Sequence, residues 1–222
     1  VMGGSFRPRA IAAVLDEIDL VIRDYRPRWI LAGDDNFVTS RERALEFCEA
    51  YIRRGHHRST PWQVSTRADS VDAEVLGAMS RAGCEMVSFG LESAVPRLLE
   101  TVSKGLDPAV SERAVRLAKA AGLRVRATFI LGLPGETPKE SLETIRFSRR
   151  LPLDQVRFAL ATPFPGTRLW ETAVREGVVD DWMALSSMGG YRAGELFYVP
   201  EGRGSEELKR LQRRANFGFY FR

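Results

Sequence analysis

The 222-residue sequence holds two cysteines, Cys48 and Cys84, and two histidines, His56 and His57. The cysteines stand far apart with no CxxC pairing, which argues against a disulfide framework and against a self-contained zinc or iron–sulfur site; both read as buried apolar residues. The histidines are adjacent, in what reads as a helix-to-strand connection on the far face of the fold, and are expected at the surface rather than as metal ligands. No uninterrupted apolar stretch approaches the roughly 20 residues that cross a bilayer, and no leader with basic residues, an apolar run and a cleavage site opens the chain. A soluble, cytoplasmic protein with no membrane partner is therefore expected. There is no starting methionine either: Val1-Met2-Gly3-Gly4-Ser5 reads as the interior of a loop, and a fragment or excised domain is expected.

What is present fits one α/β domain, with 44% apolar residues and a formal charge of +4. The arginines are spread over several helices, which reads as solvated helix faces rather than a nucleic-acid stripe. Helical and extended patterns alternate with a period of roughly 30 residues. Helices are predicted over 9–25, 41–54 (capped by Ser40), 72–82, 96–103, 108–121, 138–149, 168–176 and 205–214. Strands are predicted over 29–38, 62–67, 85–90, 125–131 and 155–161. Five strands separated by helices with short connections indicate parallel βα units wound in one direction. No Gly-x-Gly-x-x-Gly turn follows the first strand, which favours a barrel over a doubly wound sheet. The expected fold is a partial parallel (β/α)6 TIM-like barrel over residues 1–180, with its first strand before Val1, followed by a C-terminal extension over 181–222.

In such a barrel the ligand-facing edge is the C-terminal end of the strands. The five loops there are Gly33-Asp34-Asp35-Asn36-Phe37, Thr66-Arg67-Ala68-Asp69, Gly90-Leu91-Glu92-Ser93, Gly132-Leu133-Pro134-Gly135-Glu136-Thr137 and Thr162-Pro163-Phe164-Pro165-Gly166-Thr167. Each has an ordinary explanation as helix caps or turn glycines. Five on one rim, bringing acids, one arginine and glycine-rich turns together, point instead to a ligand. Carboxylates accept hydrogen bonds from an ammonium and from ribose hydroxyls, Arg67 can pair with a carboxylate, and Gly/Pro turns admit a flat base. S-adenosylmethionine (SAM) carries all four groups.

These motifs resemble the radical SAM superfamily, and within it the branch whose members often carry a cobalamin-binding domain; the similarity covers residues 7–181. Arg7-Pro8-Arg9 with Glu17 looks like the segment just after the family's cluster loop. Gly33-Asp34-Asp35-Asn36-Phe37 is similar to the Asp-Asp-x-Phe form of the Gly-Gly-Glu motif, which implies that Asp35 holds the SAM amino group, beside Asp34. Gly90-Leu91-Glu92-Ser93 resembles the Gly-x-Glu-Ser segment that meets the ribose or methionyl part, with Lys104-Gly105 at a family Lys-Gly position. Gly132 and Pro134 belong to a segment similar to the one packing near adenine, and Pro163, Phe164 and Pro165 to the family's Pro-x-Pro-Gly-Thr. The resemblance implies SAM, a [4Fe–4S] cluster and, as an option, cobalamin as cofactors, a small-molecule substrate, and a reductant such as flavodoxin or ferredoxin. It implies deoxyadenosyl-radical chemistry leading to methyl transfer, ring formation or rearrangement. The family's CxxxCxxC loop is absent, and its place falls before Val1, so truncation is expected, with this chain alone unable to cleave SAM.

Two other readings compete. One is a divalent-metal hydrolase or lyase using Asp34, Asp35, Asp69 and Glu92 as oxygen ligands. The other is a non-catalytic barrel binding RNA or protein through Lys209-Arg210, Arg213-Arg214 and the aromatics Phe217, Phe219, Tyr220 and Phe221. Docking of those aromatics on the barrel or another domain is the preferred account of the tail, and a nucleic-acid partner is not expected.

Overall fold

A computed structural model of the chain describes residues 7–102, 105–177 and 198–221. In chain order its elements are α1 (Ile11–Tyr25), β1 (Ile30–Leu31), α2 (Arg41–Arg53), β2 (Trp62–Thr66), α3 (Ala73–Arg81), β3 (Cys84–Glu92), α4 (Pro96–Thr101), α5 (Pro108–Ala120), β4 (Arg124–Leu131), α6 (Pro138–Arg150), β5 (Gln155–Leu160), α7 (Arg168–Arg175) and α8 (Ser205–Tyr220). The five strands lie in sequence order and every neighbouring pair is parallel. They curl into a half-barrel, as the alternating pattern predicts.

Helix starts follow the capping residues. Side chains of Ser40, Asp72, Asp107, Thr137 and Thr167 each accept a backbone N–H at the first turn of α2, α3, α5, α6 and α7. Each such cap contributes about 1 kcal/mol. Strand residues alternate between two environments. Trp62 and Val64, Val87 and Phe89, Val125, Ala127 and Phe129, and Val156 and Phe158 are buried in one continuous core with Phe47, Leu76, Val115 and Phe147 of the helices. The residues between them, such as Ser65, Ser88, Arg126 and Thr128, are half-buried and line the opposite, concave face. A second core lies under the rim, where Val95, Leu98, Leu133, Ala161, Leu169, Ala173 and Tyr198 meet.

Four expectations are corrected. The first strand has two paired residues instead of ten, because the chain turns inward at Phe37, whose N–H donates to the Ser65 carbonyl at 2.9 Å and whose ring packs 5.3 Å from those of Phe47 and Trp62. The third strand begins earlier and ends later, so Cys84 is its first residue rather than a helix end and Glu92 its last. His56 and His57 are half-buried. His56 packs edge-on against Tyr51, and its Nε2 lies 2.6 Å from Asp19.

The final helix runs to Tyr220, past the predicted end at 214, because its second half has a partner, the outer edge of β5. Asn216 accepts from the Phe158 N–H at 2.9 Å and donates to the Phe158 carbonyl, to which Gln212 also donates. The Tyr220 hydroxyl accepts from the Val156 N–H and donates to its carbonyl. Phe219 is buried in the main core, whereas Phe217, Tyr220 and Phe221 are exposed. The expected docking of the tail on the barrel is thus found, through Phe219 and the polar atoms of Asn216 and Tyr220. Lys104 and residues 178–197 of the extension lie outside the described residues. Among those described, no helix is long and apolar enough to cross a membrane.

Candidate functional site

The parallel order places all five motif loops at the same end of the sheet, one after each strand. Within that rim the candidate residues divide by burial. Asp34, Asp35 and Phe164 are exposed, Arg67, Glu92, Pro134 and Pro165 half-buried, and Ser93, Gly132 and Pro163 buried.

The loop after β1 is held by a residue whose role the sequence did not reveal. Asn36 accepts through Oδ1 from the Thr66 hydroxyl at 2.7 Å and from the Arg67 N–H at 3.1 Å, tying this loop to the end of β2. Asp34 and Asp35 are thereby left on the outside. Gly33 has nothing within 4 Å of where a Cβ would stand, so a ligand can reach the backbone there. Arg67 makes a two-point ion pair with Asp69, at 2.9 and 2.6 Å, which raises its pKa further. A ligand carboxylate would share that guanidinium with Asp69.

At the end of β3 the backbone is strained. Glu92 has φ +61°, and the Ser93 N–H donates to the Leu91 carbonyl at 2.8 Å. A bond from residue i+2 back to i across a positive central φ is a γ-turn of the rare, strained kind. The pairing register with β4 also shifts between Gly90 and Glu92. Ser93 stabilises the turn: its hydroxyl lies 3.2 Å from that of Thr144 on α6 and accepts from the Val95 N–H at 3.1 Å. Fully buried, Ser93 faces protein on all sides.

The loop after β4 is pinned from four directions. Glu136 is 2% exposed, and its Oε2 accepts from the N–H groups of Gly132 and Leu133. Burial raises the pKa of Glu136, and those two N–H groups oppose the rise. Thr137 and Glu140 form a capping box at the start of α6. Arg97 of α4 donates to the Gly135 carbonyl and to Glu140. Arg203, its side chain 1% exposed, donates to the Glu136 carbonyl and to Ser141 and pairs with Glu207. Gly132, at φ +81°, has Leu208 of α8 3.2 Å from where its Cβ would stand, so its close approach is made to the chain's own last helix. Nothing in the sequence marks Arg203 or Leu208 as partners of a turn 70 residues earlier.

A cleft of about 450 Å³ lies between α1 and β1, lined by Arg7, Arg9, Glu17, Ile18, Asp34 and Phe37 among others. Of the rim candidates only Asp34 reaches it. The metal reading fails on geometry: among the described residues no three His, Cys, Asp or Glu side chains come together as a metal site, and Asp69 is taken by Arg67. An iron–sulfur cluster does not fit the cysteines either. Both are buried, and burial pushes the Cys48 thiol up to about 12 and that of Cys84 further.

Comparison with known proteins agrees with this geometry. The chain is 34% identical to an uncharacterized methyltransferase of Pyrococcus horikoshii, over 99% of this chain and 47% of that protein. It is 30% identical to the anaerobic magnesium-protoporphyrin IX monomethyl ester cyclase of Cereibacter sphaeroides, over 75% of this chain and 28% of the cyclase. The chain thus spans less than half the length of either relative. Its fold matches that of a radical S-adenosylmethionine methyltransferase, TsrM from Kitasatospora setae, solved with cobalamin and a [4Fe–4S] cluster bound, at a TM-score of 0.69 and 23% identity over 76% of this chain and 32% of that one. The radical SAM superfamily model matches residues 2–148, two thirds of the sequence. With the half-barrel and its five rim loops, this establishes that the chain belongs to the radical SAM superfamily.

Proposed function

We propose that this chain is the SAM-binding barrel of a cobalamin-associated radical SAM enzyme that methylates or cyclises a small molecule. The observation that carries the reading is the meeting of five motif loops on one rim, with Asp34 and Asp35 exposed, Glu92 half-buried and Ser93, Gly132 and Pro163 buried beneath them. SAM fits this donor set: the Asp35 carboxylate accepts hydrogen bonds from the ammonium, with Asp34 adding negative charge beside it. Glu92, aimed by its γ-turn, accepts from ribose hydroxyls. Pro134 offers a flat apolar wall to adenine, and Phe164 with Pro165 closes the far side and excludes water. Ser93, Gly132 and Pro163 act indirectly, by fixing the loops that carry these contacts.

A [4Fe–4S] cluster, held by residues other than these, would supply the electron for reductive chemistry on SAM. Neither cysteine of this chain fits it, so we assign its ligands, and any cobalamin site, to sequence outside these 222 residues; this chain by itself does not cleave SAM. Its own residues bind and orient the nucleoside and the methionyl group.

The test is calorimetric titration of the full chain with S-adenosylhomocysteine, which keeps the amino acid, ribose and adenine. We expect saturable binding that weakens at least tenfold, about 1.4 kcal/mol, in Asp35→Asn and in Glu92→Gln. Absence of binding to the folded chain, or unchanged affinity in both variants, refutes the reading.

A further inference from the structure

The concave face of the half-barrel is polar and carries positive charge that the described residues do not fully balance. Its positions are those that alternate with the buried core residues: Ser65 on β2, Ser88 on β3, Arg126 and Thr128 on β4, Gln155 and Arg157 on β5. The register puts Ser65 beside Ser88, Ser88 beside Arg126, Arg126 beside Gln155 and Thr128 beside Arg157. Arg126 is half-buried, and its partner among the described residues is neutral: Nε donates to Gln155 at 2.8 Å, which leaves both Nη groups of the fork without an acceptor. Arg157, between buried Val156 and Phe158, is exposed on the same face and makes no ion pair among the described residues. On the convex helices, by contrast, arginines find acids: Arg54 meets Asp16 and Asp19, Arg41 meets Asp72, and Arg116 meets Glu112.

Arg124, on the same face, has Glu85 as its ion-pair partner. Half-buried Arg126, by contrast, has lost hydration for a neutral partner among the described residues, and the guanidinium of exposed Arg157 beside it adds like charge, so an anion joining the two is favoured. Adjacent strands lie about 4.8 Å apart and rise about 3.3 Å per residue, so positions offset by two residues on neighbouring strands are roughly 8 Å apart. Side chains of arginine length converge from there on a single oxyanion.

We propose that Arg126 and Arg157 form an anion subsite on the floor of the half-barrel, below the SAM rim, and that the substrate therefore carries a carboxylate or phosphate. The subsite takes the anion through the free fork of Arg126 and the guanidinium of Arg157, with Ser88 and Thr128 as neighbouring hydroxyl donors. An anion held on the floor leaves the rest of the substrate pointing toward the strand ends. This inference rests on the proposed function only in calling the bound anion part of a substrate.

The experiment follows the arginine Nε–Hε resonances of the full chain by NMR, assigned by their loss in Arg126→Gln and Arg157→Gln. Inorganic phosphate and succinate form two arms, each matched in ionic strength with chloride, and S-adenosylhomocysteine is titrated in parallel. The expected result is a saturable shift of both arginine signals in at least one arm, with the remaining arginine's affinity for the anion weakened at least tenfold in each single variant, while the double variant's affinity for S-adenosylhomocysteine stays unchanged. The arm that saturates tells phosphate from carboxylate. Shifts no larger than those with chloride, in a protein that binds S-adenosylhomocysteine, overturn the anion subsite alone. If the nucleoside also fails to bind, the function reading falls and the substrate assignment falls with it.

Discussion

Replacing Glu92 with glycine separates the two things this residue does. Holding a non-glycine residue at φ +61° inside an i to i+2 hydrogen bond costs on the order of 1–3 kcal/mol. Glycine adopts that φ without a Cβ penalty but loses about 0.5–1 kcal/mol more chain entropy on folding. The Glu92 side chain is half-buried and has interactions of its own, and at such exposure they contribute about 1 kcal/mol or less. Glu92→Gly is therefore expected to cost the fold no more than about 1 kcal/mol and to stabilise it by as much as about 2.5 kcal/mol where the strain is large, while nucleoside affinity falls at least tenfold. Urea unfolding monitored by circular dichroism gives the first quantity, provided the m-value is unchanged; calorimetry with S-adenosylhomocysteine gives the second. Glu92→Gln is the companion variant: it keeps the strained backbone, so it gains no stability, yet it loses the charge and with it the affinity. Destabilisation by more than about 1 kcal/mol in the glycine variant, with binding retained, would show that the γ-turn serves packing and would refute the argument from strain to function.

Two further outcomes follow from burial. Neither Cys48 nor Cys84 is accessible and both thiols are pushed up, so the native chain is expected to resist alkylation by iodoacetamide at pH 8 and to react at both cysteines once unfolded in urea; rapid native labelling would contradict the buried placement. Glu136 has a folded pKa above its unfolded value of about 4.3, so its stabilising contribution is complete below that value and is lost as pH rises through the folded pKa. Unfolding free energies measured from pH 4 upward should fall less steeply in Glu136→Gln than in the parent chain, and an identical slope would show that the carboxyl is not protonated more readily in the fold.

Much of the fold is legible because local chemistry and tertiary structure agree. Ser40, Asp72, Asp107 and Thr137 cap the helices they precede, and Val125, Ala127 and Phe129 alternate as a half-buried strand must. The rim loops are legible as motifs, but the division of labour within them is not. Glu92 and Ser93 are neighbours in sequence; only the γ-turn and Thr144, 51 residues after Ser93, decide that one carboxylate stays accessible while the hydroxyl is buried. Gly132 likewise reads as a place for a ligand to approach, and Leu208 occupies that approach. Both depend on contacts between distant segments, which periodicity does not encode.

The same reasoning explains the unequal edges of the sheet. A strand edge presents unpaired N–H and C=O groups that must find partners or water. On β5 those of Val156 and Phe158 are met by Tyr220, Asn216 and Gln212, three side chains spaced four apart on one face of α8. The helix thereby does for β5 what a neighbouring strand would do, and no further strand can pair at those two residues. At β1 the situation is reversed: Leu31 and the preceding Trp29 are about half exposed, at 56% and 49%, and the cleft beside the strand opens toward α1. The open edge of the five-stranded sheet is therefore the one next to Asp34 and Asp35. Sealing one edge and leaving the other open puts any addition to the barrel beside the acids proposed to hold the amino group of SAM, and keeps it away from Arg157 on β5.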